Sequence, residues 1–242
     1  MDDYKVNEPL PLKGTRNVRE LGGYPTEDGK TTKDKVFLRA DNLKKLTKKG
    51  RNYLYDYGVR LVIDLRSEAE IKRGADKIDT KQMEYVNYPL FDKVQSTLLK
   101  GNLPKNMSDM YTELVENSKD TLAAIFRRLI ACKGCALFHC TAGKDRTGIL
   151  AMMILKEAKV PDEVIIADYS VSGEHMKKVF DRQKWWAKFA GITIPDYIFE
   201  SRPEYIKDLM DYLTKTYGSV HGYLREIGLK EEELTALRDK LV

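Results

Sequence analysis

The stretch His139-Cys140-Thr141-Ala142-Gly143-Lys144-Asp145-Arg146-Thr147-Gly148 decides how this sequence is read. A break at Gly134 and the apolar run Cys135-Ala136-Leu137-Phe138 precede it, and they read as the start of a short strand. From Thr147 to Lys159 apolar residues run almost all round a helical pattern, which predicts a central, buried helix. Between strand and helix, the small residues Thr141, Ala142 and Gly143 let the backbone curl with its N–H groups turned inward. A ring of amides at a helix N-terminus is an anion site. Cys140 stands at its base, where the amides and the helix dipole favour thiolate over thiol. Arg146 follows in the helix start and can return a fork of N–H donors to two oxygens of a bound oxyanion. One loop thereby activates a sulfur nucleophile and cradles a phosphoryl dianion.

Working outward, Val36-Phe37-Leu38 is a short apolar run ahead of a helical stretch from Thr47 to Tyr57, which Gly58 stops. Val59 to Leu65 is nearly all apolar, as expected of a strand buried on both faces. Glu84 to Leu90 reads as a further strand, ended in the region of Pro89. Leu122, Ile125, Phe126, Leu129 and Ile130 recur at helical spacing and give a core-facing stripe. Pro161 and Pro203 open helices, and Gly218 and Gly228 stop them. Strands early, helices late and a strand–loop–helix unit between them indicate an α/β fold with a mostly parallel central sheet flanked by helices.

The 242 residues suffice for one sizeable core, and no repeat or linker divides them, so the expectation is a single domain over 1–242. The 42 basic and 37 acidic side chains leave a net charge of +5. That surplus suits an enzyme of anionic substrates and is too diffuse to argue for nucleic acid. The N-terminus Met1-Asp2-Asp3-Tyr4-Lys5 shows no secretory signal, and the longest apolar stretch, Ile149 to Leu155, is too short to span a bilayer. Three cysteines make no disulfide framework, so a reducing, cytoplasmic compartment is expected.

The Cys-x5-Arg spacing followed by Thr resembles the loop of the protein tyrosine phosphatase superfamily. His-Cys-x-x-Gly-Lys-Asp-Arg-Thr-Gly resembles that of a bacterial branch of atypical tyrosine phosphatases, some with dual specificity and some also acting on phosphoinositides. Asn17-Val18-Arg19-Glu20-Leu21-Gly22-Gly23-Tyr24 is similar to the branch's N-terminal signature, which more often has Phe and Asp at the positions of Val18 and Glu20. Phe37-Leu38-Arg39-Ala40-Asp41 with Leu43, Asp64-Leu65-Arg66-Ser67, and Tyr217-Gly218-Ser219-Val220 with Tyr223-Leu224 also look like it. The resemblance implies a three-layer phosphatase domain that works through a phosphocysteine intermediate, without metal or organic cofactor, and as a monomer. Its substrates would be phosphotyrosine or phosphoserine proteins, or phosphoinositides. Thr141, Ala142, Gly143, Lys144, Arg146 and Thr147 would bind the phosphate, with Lys144 helping where inositol phosphates are the ligand. The branch's use of a loop aspartate makes Asp145 the general acid, and its lid helices suggest a helical cover around 171–200.

Alternatives stay open at several positions. Asp145 could instead pair with a neighbouring cation or cap the helix. Asp64, at the C-terminal end of its strand, is the rival acid, or it orients Arg146 or Lys144 by a salt bridge. Thr147 could cap the helix or stabilise the leaving thiolate. His139 is expected to hold the loop by a hydrogen bond, and His175 and His221 to lie at the surface. Cys132-Lys133-Gly134-Cys135 reads as chance spacing rather than a metal site, with a disulfide to Cys140 as a minor alternative. Glu174 to Ala190, with Trp185, Trp186 and Phe189, reads as a core helix or as a cover over the site. Outside the enzyme class stand an idle phospho-ligand-binding module, which has no need of the nucleophile, and a sulfurtransferase, whose loop is built differently.

Overall fold

The apolar runs Val59–Asp64 (β3) and Cys135–His139 (β5) lie side by side at the centre of a five-stranded sheet of order β1-β2-β5-β3-β4. The computed structural model describes residues 8–90 and 106–242, so the acidic start of the chain read above lies outside the described residues. β2 (Phe37–Ala40), β5, β3 and β4 (Glu84–Asn87) run parallel, and the two-residue β1 (Arg19–Glu20) adds an antiparallel edge. This is the mostly parallel sheet that the sequence predicts. Along β3 and β5 every side chain except Arg60 is buried, because helices cover both faces.

Alternation along the strands sorts the core into two layers. Phe37, Ile63, Ala136 and Phe138 face one helical layer, whereas Leu38, Val62 and Leu137 face Leu54 of α1 (Lys48–Tyr57). After β3 the chain forms the short α2 (Glu68–Lys72). The larger layer comprises α3 (Met107–Asn117), α4 (Lys119–Ala131), α5 (Asp145–Glu157), α6 (Asp162–Phe189), α7 (Pro203–Tyr217), α8 (Val220–Glu226) and α9 (Glu231–Leu241). No helix among the described residues is long and apolar enough to cross a membrane.

Several boundaries differ from the sequence reading by one to three residues, and one matters for the site. β4 stops at Asn87 rather than Leu90, since Pro89 has no N–H to extend a ladder; Tyr88 N still reaches Asp64 O at 2.9 Å. α5 begins at Asp145, two residues before the predicted Thr147. Asp145 and Arg146 therefore project from the first helical turn, with a fixed direction. From Arg146 to Leu155 the helix is buried throughout, as its pattern predicts.

One buried ion cluster ties this sheet to the helices. Arg19 and Arg39 are wholly buried, and Asp168 of α6 answers both. Asp168 Oδ1 accepts from Arg19 Nε at 3.1 Å and from the Tyr24 hydroxyl at 2.9 Å, and its Oδ2 accepts a short bond from Arg39 Nη1. Burial alone would raise the Asp168 carboxyl, but Arg39 and Arg19 hold it below the ordinary range. Burial and the like charge of Arg39 in turn lower Arg19 to about 10. Removing Asp168 would leave two buried cations without their shared counterion, a change of about 3–5 kcal/mol. Urea unfolding of Asp168→Ala should show a loss of that order; a midpoint equal to wild type would contradict this account of the cluster.

Candidate active site

Between β5 and α5 four consecutive carbonyls are turned away from the loop interior. His139 Nδ1 lies 3.1 Å from Cys140 O, and Asn42 donates to Thr141 O from its Nδ2 at 2.7 Å and its backbone N at 3.2 Å. Asn17 Nδ2 donates at 3.1 Å to both Ala142 O and Gly143 O, and Arg39 Nη2 donates to Gly143 O at 3.0 Å. In a trans peptide the N–H points opposite the C=O, so anchoring the carbonyls outward directs the amides inward. Gly143 makes the curl sterically feasible: its φ is 68°, and a Cβ there would stand 2.4 Å from Ala40 O.

The Asn17 amide is itself oriented. Its Oδ1 accepts from Arg19 Nη1 and lies 3.1 Å from His175 Nδ1, so its NH₂ is the end that meets the loop. His175 is thus not the surface residue the sequence suggests. It is half-buried, and burial together with Arg19 and Arg39 lowers its pKa to about 4, leaving a neutral ring at pH 7. His221 is likewise engaged, 3.1 Å from the buried Glu157 and 3.2 Å from Glu231.

Arg146 leaves the first turn of α5 and meets Glu70 of α2 end on, Nη1 to Oε2 at 2.7 Å and Nη2 to Oε1 at 2.8 Å. Arg146 Nη1 also donates to Leu65 O at 3.3 Å. Glu70 Oε1 also accepts the Thr141 hydroxyl at 2.5 Å, and Oε2 accepts Ser67 N at 2.9 Å in a capping box. Burial would raise the Glu70 carboxyl, but Arg146 outweighs it and brings it to about 2. Asp145, a quarter exposed, accepts through Oδ1 a short bond from the Tyr111 hydroxyl and a 3.0 Å contact from Lys144 Nζ. Tyr169 supports Tyr111 at 2.6 Å, hydroxyl to hydroxyl.

Cys140, Thr141, Ala142, Lys144, Asp145 and Arg146 come together on the wall of one cleft of about 470 Å³. Met107, Met110 and Leu114 of α3 form one apolar side. Phe180 and Trp186 of α6, with Ile198 and Phe199, form the other. Gly143 shapes the loop from behind. Thr147 is fully buried, and its hydroxyl makes no hydrogen bond among the described residues; the helix cap falls at Lys144, not at Thr147. The Lys144 ammonium donates to Ile198 O at 3.1 Å, Glu200 O at 2.5 Å and Asp145, which accounts for all three of its hydrogens.

Asp64 does not line the cleft. It is wholly buried and accepts from Arg66 at 2.7 and 2.9 Å and from the Tyr85 hydroxyl at 2.7 Å, which keeps it ionised and its pKa lowered against the pull of burial. It orients neither Arg146 nor Lys144. Asp64, Asp76 and His139 stand within metal-ligating reach of one another, but the Arg66 guanidinium, 2.5 Å from Asp76, already supplies the cation. His139 Nε2 lies 3.2 Å from Asp76; burial lowers the pKa of the ring, yet Asp76 and Asp64 raise it overall. Through its contact with Cys140 O, His139 is the loop-holding residue the sequence suggests. Cys135 opens β5 and Cys132 precedes it, and the rise of the strand puts Cys135 roughly 16 Å from Cys140, too far for a disulfide.

Glu70, Asn17, Asn42, Asp76, Tyr111 and Asp168 carry parts of this site that the sequence reading leaves without a role. The Ser67-x-x-Glu70 capping box was the one local signal, since it marks a helix start just after β3. Glu70 also generates a pH dependence. Its folded pKa lies below the ordinary 4.5, so its pairing contributes stability above that value and loses it as pH falls through about 2. Glu70→Gln should therefore lie about 3 kcal/mol below wild type at pH 6 and converge on it near pH 2. A gap independent of pH would contradict the ionised pairing.

The sequence matches the tyrosine phosphatase family over residues 10–242. It is 29% identical over 221 residues to a tyrosine-protein phosphatase of Nostoc commune, spanning 85% of this chain and 74% of that protein. It is 26% identical over 274 residues to the triple specificity protein phosphatase PtpB of Mycobacterium tuberculosis, spanning 96% of this chain and 98% of that one. Among solved structures it is similar to P. aeruginosa TpbA at 11% identity and a TM-score of 0.47, over 93% of this chain and 98% of that chain, a likeness too distant to bear on the site. Because the family match takes in the loop, the sheet that carries it and the helices on either side, the chain belongs to the tyrosine phosphatase family.

Proposed function

We propose that this phosphatase hydrolyses aryl phosphate esters, phosphotyrosine in proteins above all, with Cys140 as nucleophile and Asp145 as general acid. The observation that carries the reading is the combination of inward amides and a deep cleft with apolar walls. The amides and Arg146 take the phosphate oxygens; Met110, Leu114, Phe180 and Phe199 take the ring. A shorter phosphoserine side chain would seat its phosphate without filling those walls, and so loses the apolar contact.

In the first step Cys140 Sγ attacks phosphorus in line as the ester P–O bond breaks. Amides and Arg146 stabilise the charge on the three equatorial oxygens. Asp145 gives a proton to the departing oxygen. Its Oδ1 is held by Tyr111 and Lys144, so Oδ2 is the oxygen left to carry that proton. In the second step water attacks the phosphocysteine, the Asp145 carboxylate takes its proton, and phosphate and the Cys140 thiolate separate. The buried Thr147 hydroxyl, which has no hydrogen-bond partner among the described residues, suits a role beside that thiolate. Asp64, ionised and outside the cleft, is not assigned the acid's role.

A phosphoinositide reading draws on Lys144, which in the present arrangement has no donor to spare for a ligand. The substrate test is a metal-free panel of phosphotyrosine and phosphoserine peptides and soluble inositol phosphates. Phosphotyrosine should lead by roughly tenfold or more in kcat/KM, from ring burial alone. A phosphoserine or inositol phosphate lead would overturn the assignment.

A general acid matters most when the leaving group is basic. Asp145→Asn should lower kcat for phosphotyrosine by about 10²-fold or more while sparing an ester of an acidic phenol. Tyr111→Phe should show the same split more weakly, because it only loosens the acid. Equal losses on both esters in Asp145→Asn would mean that Asp145 serves the loop and not the proton.

A further inference from the structure

Among the described residues, all four exposed large apolar side chains lie within one short stretch at the end of α6 and the turn that follows. They are Trp185 at 59% exposure, Trp186 at 56%, Phe189 at 76% and Ile192 at 57%. Trp185 stacks on Phe189 at 5.8 Å and meets Trp186 edge-on at 4.9 Å, so the rings form one contiguous patch. The helix is anchored as far as Phe180, which packs with Met176 and Phe199 in a small core of its own; beyond that point it projects. Residues 174–192 carry five basic side chains against two acidic ones. Lys188 is exposed beside Phe189, and Lys184 leans to Asp196 at 2.7 Å.

We propose that this tip docks the protein on an anionic lipid surface. Indole rings combine an apolar body with a polar N–H and favour the headgroup level of a bilayer. Lysines interleaved with them bury their stems against apolar surface and place their ammonium groups on lipid phosphates. This is the make-up of a helix segment that lies in the membrane interface. A second copy is a poorer occupant, because a twofold contact through the patch would set Lys184 and Lys188 against the same residues of the other copy. Closure over the cleft is poorer too. Trp186 already lines the cleft, whereas Trp185, Phe189 and Ile192 do not. A surface held at the tip brings headgroups and membrane-bound phosphoproteins to the cleft mouth, where Arg182 and Gln183 stand. The docking does not depend on which residue delivers the proton or which ester is preferred.

Trp185 and Trp186 are the only two tryptophans of the chain, so its intrinsic emission reads this patch alone. Titration with phosphatidylcholine vesicles containing about 30 mol% phosphatidylglycerol should shift the emission to the blue, shield it from an aqueous quencher and carry the protein down on sedimentation. Pure phosphatidylcholine should do so far less, and high salt should reverse the effect. Lys188→Glu should weaken the association roughly tenfold. Trp185→Ala with Phe189→Ala should abolish sedimentation while turnover of a soluble activated phosphate ester stays that of wild type. Unchanged emission with the anionic vesicles would overturn the proposal. So would a blue shift that needs only higher protein concentration, which indicates self-association, or only vanadate, which indicates closure over the cleft.

Discussion

The structure depends on the outward anchoring of four successive carbonyls, from Cys140 to Gly143, by His139, Asn42, Asn17 and Arg39. A loop of small residues could curl in many ways, and most of them would expose its amides at random. Pinning each carbonyl from behind removes that freedom and presents a concave face of N–H donors before any ligand arrives. Preorganisation of this kind leaves little rearrangement for the reaction itself. The anchors come from β2 and the turn just after it, from the segment before β1 and from β5, which explains why this loop needs the antiparallel edge of the sheet as well as its centre.

Three of the anchors, Arg39, His139 and Asn17 (the last through Arg19), are fixed in turn by charge. Asp168 answers Arg19 and Arg39, Asp76 answers His139 and Arg66, and Glu70 answers Arg146. A bound phosphate dianion needs positive charge nearby, and buried positive charge needs a partner or it destabilises the fold. Placing the carboxylates on the far side of the cations meets both needs. Arg39 shows the coupling most directly: one guanidinium pairs with Asp168 of α6 and donates to Gly143 O of the loop.

Much of this was legible in the sequence, and the limits are physical. The Cys135–His139 strand, the buried helix behind it and the mostly parallel sheet follow from local periodicity and from glycine breaks, both short-range signals. Helix α5 began earlier than its apolar pattern because Asp145 and Arg146 are polar residues on a first turn that faces a cleft. Glu70, Asn17 and Asp168 act across 76, 125 and 149 positions of sequence, and no spacing rule reaches that far. Lys144 and Asp64 illustrate the converse. Their positions suggested a ligand or a proton, but three acceptors around Lys144 and two donors around Asp64 engage them elsewhere. The aromatic stretch of Glu174 to Ala190 read as a core helix or as a cover over the site; only the fold reveals that α6 outlasts the layer it packs against and that Trp186 alone of its tip rings lines the cleft.

On the proposed mechanism, the preorganised loop passes the phosphoryl group through the sulfur of Cys140. Rapid acid quenching of turnover with a phosphotyrosine peptide, followed by peptide mapping, tests it most directly. A transient phosphoryl adduct should appear on the peptide that contains Cys140, present in wild type, longer-lived in Asp145→Asn and absent in Cys140→Ser, which should still bind vanadate. A phosphoryl group mapped to another residue, or substantial turnover by Cys140→Ser, would contradict it.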